Sequence, residues 1–508
     1  MTRGAGLLLH PTSLPSRFGV GDLGPGAASF LAWAARAGVS VWQVLPLGPT
    51  GMGDSPYGCL SAFAGNPLLV SPELCRDEGL LGEEDLAPDD SHGGDRVDFV
   101  AAAGLRERQL RRALANFRAA PPEALARAFA AFRDAPEQAG WLRDWALFAA
   151  LKAAHGGAAW PGWDPELRDR RPGALAAAEQ RLGAELEYHR FVQFLFFRQW
   201  EALRGRAHAA GIELLGDLPI YVAADSADVW AHRELFELDE AGQPLRMAGV
   251  PPDYFSATGQ LWGNPLYRWD RLRESGYAWW IERLRANLRL TDRVRLDHFR
   301  GFAGYWAVPA GAPTAESGAW AEGPGAPLFE ALGAALGGLP LVAEDLGVIT
   351  PDVVELRDRF GLPGMKVLQF GFDPGSDHAP HRLVPHSVVY TGTHDNDTTR
   401  GWFESLDDGA RRRVLAYVGG TPDTISWDLL RTACVTVAEL AIAPVQDLLG
   451  LDGSARMNRP GCGTGNWGWR LAPGSLTGEL AERLAELAAV TGRLAPERPA
   501  GEGDPGAA

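Results

Sequence analysis

The sequence predicts an α/β fold, a (β/α)8 TIM barrel with inserted subdomains around its C-terminal face. Three observations predict it. Eight short apolar runs recur along the 508 residues. Stretches with helical spacing lie between them, which argues for βαβ units and a parallel sheet. Three of the runs end in a carboxylate, and a carboxylate at the C-terminal end of a buried parallel strand is where such a barrel keeps its reactive groups.

The runs are, in order, Leu7–His10, followed by a helix over Ala27–Arg36, then Val41–Leu45 and Ile212–Leu215, which ends at Gly216-Asp217. Val294–Asp297, Leu341–Glu344, Met365–Gln369, Val388–Thr391 and Ala441–Val445 complete the eight. Two gaps are too long for simple crossovers. Residues 71–187 are rich in Ala, Arg and Glu with helical spacing, as in Leu105–Phe117 and Leu142–Ala153, and are expected to form a helical insertion. Residues 219–277 are rich in Pro, aromatics and Asp without clean periodicity, and are expected to be a loop-rich insertion forming a wall of the substrate cleft. Residues 1–497 then form one catalytic unit, and 498–508, of Pro, Gly, Ala and Glu, a disordered tail. No fixed-period repeat is present.

Composition narrows the function. A net charge of −16 argues against nucleic acid and against anionic membranes, and suits a neutral substrate. Positive charge is almost all arginine; Lys152 and Lys366 are the two lysines. Cys59, Cys75, Cys434 and Cys462 show no CxxC spacing, which argues against a zinc site or a disulfide framework. The N-terminal run Gly6–Leu9 is too short for a signal peptide, and no apolar run approaches the roughly 20 residues that span a bilayer. The expected location is cytoplasmic.

The three carboxylates carry the chemistry. Arg295 and Asp297 point to one side of a strand, and a guanidinium beside an aspartate keeps it ionised, as a nucleophile requires. The segment alone is equally compatible with a buried ion pair without chemistry. Glu344 follows an apolar strand, where desolvation raises its pKa toward that of a general acid, although Asp345 could equally be the buried member. Asp395 lies in Thr393-His394-Asp395-Asn396-Asp397, which alone reads as a turn; an EF-hand fails because Arg400 and Trp402 stand where oxygen ligands belong. His394 alone reads as a satisfied core histidine. Together the three sit at successive strand ends, 47 and 51 residues apart, the first gap matching one βα unit with a modest loop. Facing carboxylates suit the breaking and remaking of glycosidic bonds.

The aromatics agree. The chain has 18 Trp against 9 Tyr. Sugars present apolar C–H faces and many hydroxyls, so sites pair aromatics with amides, carboxylates and arginine. The stretch from Gly249 to Pro265 does this, and so does Asn458–Arg470 with Asn466, Trp467 and Trp469. Trp269 and Trp467 read at least as well as residues that pin insertions to the barrel.

At these residues the sequence resembles the amylomaltases, the 4-α-glucanotransferases of glycoside hydrolase family 77. The resemblance rests on His10-Pro11-Thr12-Ser13-Leu14-Pro15, Pro46–Gly51, Asp54-Ser55-Pro56-Tyr57, Ser61–Pro67 and Gly216–Val222. It also rests on Gly249–Pro265, the three carboxylate segments, Arg456-Met457-Asn458 and Gly465–Arg470. It implies Asp297 as nucleophile, Glu344 as general acid/base, and Asp395 as a third acid that grips the sugar at the cleavage point. It implies Arg295, His298, His394 and Asp217 in the same subsite, with Ser55, Tyr57, Asp253, Gln260, Trp262 and Asn466 holding neighbouring glucose units. It implies transfer between α-1,4-glucans by a retaining double displacement, with no metal or organic cofactor. The chain departs from the family pattern at Met52, where a tyrosine is common, and at Gly58 and Cys59, where Gln-Ser often follows. The resemblance therefore leaves open whether a remote part of the glucan finds an aromatic platform there. An α-glucan hydrolase and a non-catalytic glucan-binding protein are the competing classes. A phosphorylase, needing a phosphate or Schiff-base site, ranks last with two lysines.

Overall fold

A computed structural model of the chain describes residues 3–87, 94–252 and 257–494. The strands are β1 (Gly4–Leu8), β2 (Val41–Gln43), β3 (Glu213–Pro219), β4 (Arg246–Val250), β5 (Gln260–Pro265) and β6 (Arg293–Asp297). After them come β7 (Gly304–Pro309), β8 (Ala319–Glu322), β9 (Leu341–Ala343), β10 (Gly364–Val367), β11 (Ser387–Tyr390) and β12 (Leu440–Pro444). Eight of these close a barrel in the order β1-β12-β11-β10-β9-β6-β3-β2, every pair parallel. All eight expected strands are in it. They read as continuous apolar runs because both faces are covered, by the barrel interior and by helices. β3 runs further than expected, so Asp217 lies inside the strand rather than past its end.

The interior is filled. Tyr390 donates its hydroxyl proton to Gln43 Oε1 at 2.9 Å, and Met365 lies beneath Arg295. The N-terminal face is sealed by Arg493, which is fully buried. Its guanidinium donates to the carbonyls of Gly4, Cys434, Thr436, Ala438 and Glu439 at 2.7–3.2 Å, clasping the β1–β12 seam.

Between β2 and β3 the chain forms helices, among them Phe99–Ala119, Glu123–Asp134, Leu142–Ala154 and the long Gly183–Ala209. Phe117, Phe129, Phe191 and Phe194 interlock at ring separations of 5.0–5.9 Å along one side. Two buried glutamines of the long helix clamp the segment after β2. Gln193 exchanges two hydrogen bonds with the backbone of Gly65, and Gln199 two with that of Ser71.

The stretch 219–277, expected to lack regular structure, carries β4 and β5. They pair antiparallel and join β7 and β8 in a second sheet, ordered β5-β4-β7-β8. The sequence hides these strands because they are short, glycine-bearing and only partly buried, so no period-2 apolar pattern marks them. Gly249 has a purpose here: a Cβ would stand 2.4 Å from the Gln260 carbonyl oxygen. The connection from Asp297 to Glu344, expected to be one βα unit with a modest loop, holds β7 and β8 before its helix Ala326–Leu336. Trp269 packs against Tyr267 and Trp280 in this region, the pinning role. Among the described residues no helix is long and apolar enough to cross a membrane.

Candidate active site

Strand register sets the site. Asp217 of β3 pairs with Arg295 of β6, and Leu296 of β6 pairs with Ala343 of β9. Asp297 and Glu344 are therefore the next residues up on neighbouring strands, whose backbones run about 4.8 Å apart. Asp395 arrives from the loop five residues past the end of β11.

Arg295 is the hub. Its Nη1 lies 2.8 Å from both carboxylate oxygens of Asp217 and 2.8 Å from Oδ1 of Asp297. Arg295 and Asp217 are buried, whereas Asp297 is open on one side. Nε of Arg295 donates to Met365 Sδ at 3.3 Å, which leaves the guanidinium little freedom. Tyr57 donates its hydroxyl proton to Asp217 Oδ2 at 2.8 Å. Burial pushes the Asp217 carboxyl up to about 6, with Arg295 opposing the rise and Asp297 adding to it. Asp217 thus remains mostly ionised at neutral pH. Burial holds the Tyr57 phenol protonated, well above its usual value.

Glu344 is held by two backbone donors, His298 N–H to Oε2 at 2.7 Å and Leu346 N–H to Oε1 at 2.9 Å. The first requires an unusual backbone: His298 has φ 52°, a left-handed conformation that costs a non-glycine residue energy and collects at functional sites. Burial raises the Glu344 carboxyl to about 8; Arg295 pulls it down and the Asp297 charge pushes it up. Glu344 is therefore largely protonated at neutral pH while its neighbour Asp297 is paired with a cation. Asp345 is buried too, but faces away. It accepts from Arg357 Nη1 at 2.5 Å and from the Met365 N–H at 2.7 Å, a structural role. Lys366, one residue along from the inward Met365, acts on Asp345 and His378 rather than on this site.

Asp395 accepts from Asn458 Nδ2 at 2.6 Å, and its backbone carbonyl from Arg456 Nη2 at 2.5 Å. His394 Nε2 lies 3.4 Å from Asp395 Oδ1. The His394 ring stacks on Tyr57 at 5.1 Å, and Trp467 closes on both rings at 5.9 Å. Trp467 thus belongs to the site, and its φ of 64° is a second strained position there.

Trp262 meets His298 edge-on at 4.9 Å and donates Nε1–H to Gln260 Oε1 at 3.2 Å. Burial lowers the His298 pKa to about 4, so the ring is neutral. Ser55 accepts from the Tyr57 N–H and orders that turn. Asn466 is engaged by its own loop, accepting from Arg459 N–H and donating to the Cys462 carbonyl, so it shapes the loop that carries Trp467. Asp253 lies outside the described residues. Met52 is fully exposed. Arg456 and Asn458, the partners of Asp395, were visible in the sequence only as a matching tripeptide; nothing local marks them, because their link to Asp395 spans 61 and 63 residues. Met365 was hidden likewise, as an ordinary apolar strand residue.

A closed barrel that sets an arginine-paired carboxylate beside a buried, protonated one, with a third acid and aromatic rings around them, defines a class: a (β/α)8-barrel enzyme that works on glycosidic bonds. A family model described as 4-alpha-glucanotransferase matches residues 9–477. The 4-alpha-glucanotransferase of a Synechocystis species is 52% identical, over 97% of this chain and 98% of its own length. That of Thermus thermophilus is 51% identical, over 97% and 100%. The structure of an amylomaltase from Streptococcus agalactiae in complex with acarbose, 38% identical, superposes with a TM-score of 0.93 over 97% of this chain and 99% of that one. The chain belongs to the 4-alpha-glucanotransferases, glycoside hydrolase family 77.

Proposed function

We propose that the chain disproportionates α-1,4-glucans by a retaining double displacement, with Asp297 as nucleophile and Glu344 as acid and base. The observation that carries this is the opposed state of the pair: Asp297 bound to Arg295, and Glu344, one strand over, raised to about 8. Two adjacent carboxyls in opposed environments, one paired with a cation and one buried, divide the roles between them.

In the first step Asp297 attacks the anomeric carbon of the donor glucose while Glu344 gives its proton to the departing glycosidic oxygen. The Asp297 charge is thereby consumed in an ester. That charge is one of the influences raising Glu344, so its carboxyl becomes more acidic as the intermediate forms. Glu344, now a carboxylate, takes the proton of an acceptor 4-hydroxyl, and the alkoxide carbon–oxygen bond forms as the ester breaks. Asp395, held by Asn458, grips the hydroxyls of the same glucose together with His394 and with His298, whose ring is neutral. Trp262 and Gln260 wall the acceptor side and keep water out. The substrate is neutral maltooligosaccharide, amylose, or starch or glycogen fragments. The four cysteines stand as free thiols, which supports a reducing, cytoplasmic setting.

An activated donor tests the assignment. α-Maltosyl fluoride needs no acid for departure, so a Glu344→Gln variant should form the ester and fail to discharge it. Mass analysis of the digested protein is expected to find a maltosyl adduct on the Asp297 peptide. An adduct elsewhere, or none while fluoride is released, overturns the assignment.

A further inference from the structure

The second sheet carries exposed aromatic side chains. Among the described residues the most exposed large aromatic side chains are Trp262, Trp320 and Tyr417, and two of these three lie on this sheet. Trp262 faces His298. Trp320 sits on the edge strand β8 and is 46% exposed. It pairs directly across from Trp306 of β7, so the two indoles share a face, with ring centroids 5.3 Å apart. Tyr305 and Ala307, on the other face, are buried against the barrel.

The pair is rigid. Trp306 donates Nε1–H to the Ala315 carbonyl at 2.8 Å, and the turn closes so tightly on the indole that a Cβ at Gly318 would stand 2.2 Å from that nitrogen. The Arg300 guanidinium lies 4.0 Å over the Trp320 ring.

Two links tie this surface to the acids. Arg300 is three residues past Asp297, and its Nη1 donates to the Val348 carbonyl and to Thr350 Oγ1, both at 2.9 Å. Val348 is 57% exposed and four residues past Glu344, a span of at most about 14 Å. The second link is Ala315, whose N–H donates to the Thr258 carbonyl at 3.1 Å, in the segment that carries Gln260 and Trp262.

A lone exposed tryptophan needs no explanation. Two immobilised indoles joined to an exposed valine beside the catalytic loops form a contiguous patch of the sort that marks a binding surface. Fixed rings suit a ligand with apolar C–H faces, and a net charge of −16 suits a neutral one. We propose that Trp306, Trp320, Arg300 and Val348 form an outer binding surface for an α-1,4-glucan, engaging glucose units beyond those held at the acids. The inference rests on the reading of the acids above and extends it: the surface selects for chain length.

The test compares Trp320→Ala and Trp320→Phe with the parent protein on long-chain amylose and on maltotriose. The alanine variant is expected to raise KM for amylose about fivefold, the worth of one stacking contact, while maltotriose kinetics stay within about twofold. The phenylalanine variant is expected to recover most of the amylose affinity. An amylose KM unchanged by Trp320→Ala overturns the proposal. So does an equal loss on both substrates, which would mark a structural clamp through Arg300 and Val348. A parent protein inactive on maltotriose would instead overturn the function itself.

Discussion

At the scale of the residue, Glu344 carries the most consequence. Proton transfer by a placed acid is worth about 10²–10⁴-fold, so Glu344→Gln should lower kcat/KM on maltotriose by at least about 100-fold. Because the working acid is the protonated form, kcat/KM should fall as pH rises through about 8. The same carboxyl sets a pH dependence of stability. It titrates near 4.5 when unfolded and near 8 when folded, so the folded state binds the extra proton between those values. The stability it contributes is full below about pH 4.5 and lost as pH rises through about 8. Glu344→Gln should therefore melt above the parent at pH 8 and together with it near pH 4.5, as differential scanning calorimetry would show. A lower melting point for the variant at pH 8 would mean that the carboxyl is not held protonated. The placement of Arg295, Asp297 and Glu344 was legible in the sequence because they sit at ends of apolar strands. The choice between Glu344 and Asp345 was not, since adjacent residues on a strand end alternate faces and only the partners, Arg357 and Met365 for Asp345, decide it.

At the scale of the element, the barrel strands carry the acids, and the insertions are proposed to supply the walls of the cleft. The second sheet places Trp262 on β5 against His298, which suits it to exclude water while an acceptor binds. Trp262→Ala should raise the ratio of hydrolysis to transfer, measured as reducing ends released per glucan transferred; an unchanged ratio would remove the sheet from this role. The helix Gly183–Ala209 holds the segment after β2 through Gln193 and Gln199. Gln193→Leu leaves the buried N–H and C=O of Gly65 without their partner, a cost of about 1–3 kcal/mol for each group. A lowered urea midpoint checks it. The barrel strands could be read from sequence because burial on both faces makes them apolar throughout. β4 and β5 could not, because partly exposed, glycine-containing strands leave no pattern, and their pairing with β7 and β8 is non-local.

At the scale of the whole molecule, the two ends of the barrel divide the work. The C-terminal ends of the strands gather the acids, whereas the N-terminal end is closed by Arg493 on five carbonyls. Arg493→Met should lower thermal stability by at least about 3 kcal/mol and leave kcat unchanged, since its hydrogen bonds all run to carbonyls at the opposite end of the barrel from the acids. A fall in kcat with unchanged stability would reverse that division. The resemblance along nearly the whole chain made the architecture and the chemistry readable together. The partners of Asp395 stayed hidden because contacts across 60 residues exist only once the barrel closes. One incubation of the pure protein with maltotriose decides between transfer and hydrolysis. With both product lengths and reducing ends followed, a ladder of shorter and longer glucans at nearly constant reducing ends is expected. Glucose and maltose with rising reducing ends, and nothing longer than maltotriose, would contradict transfer.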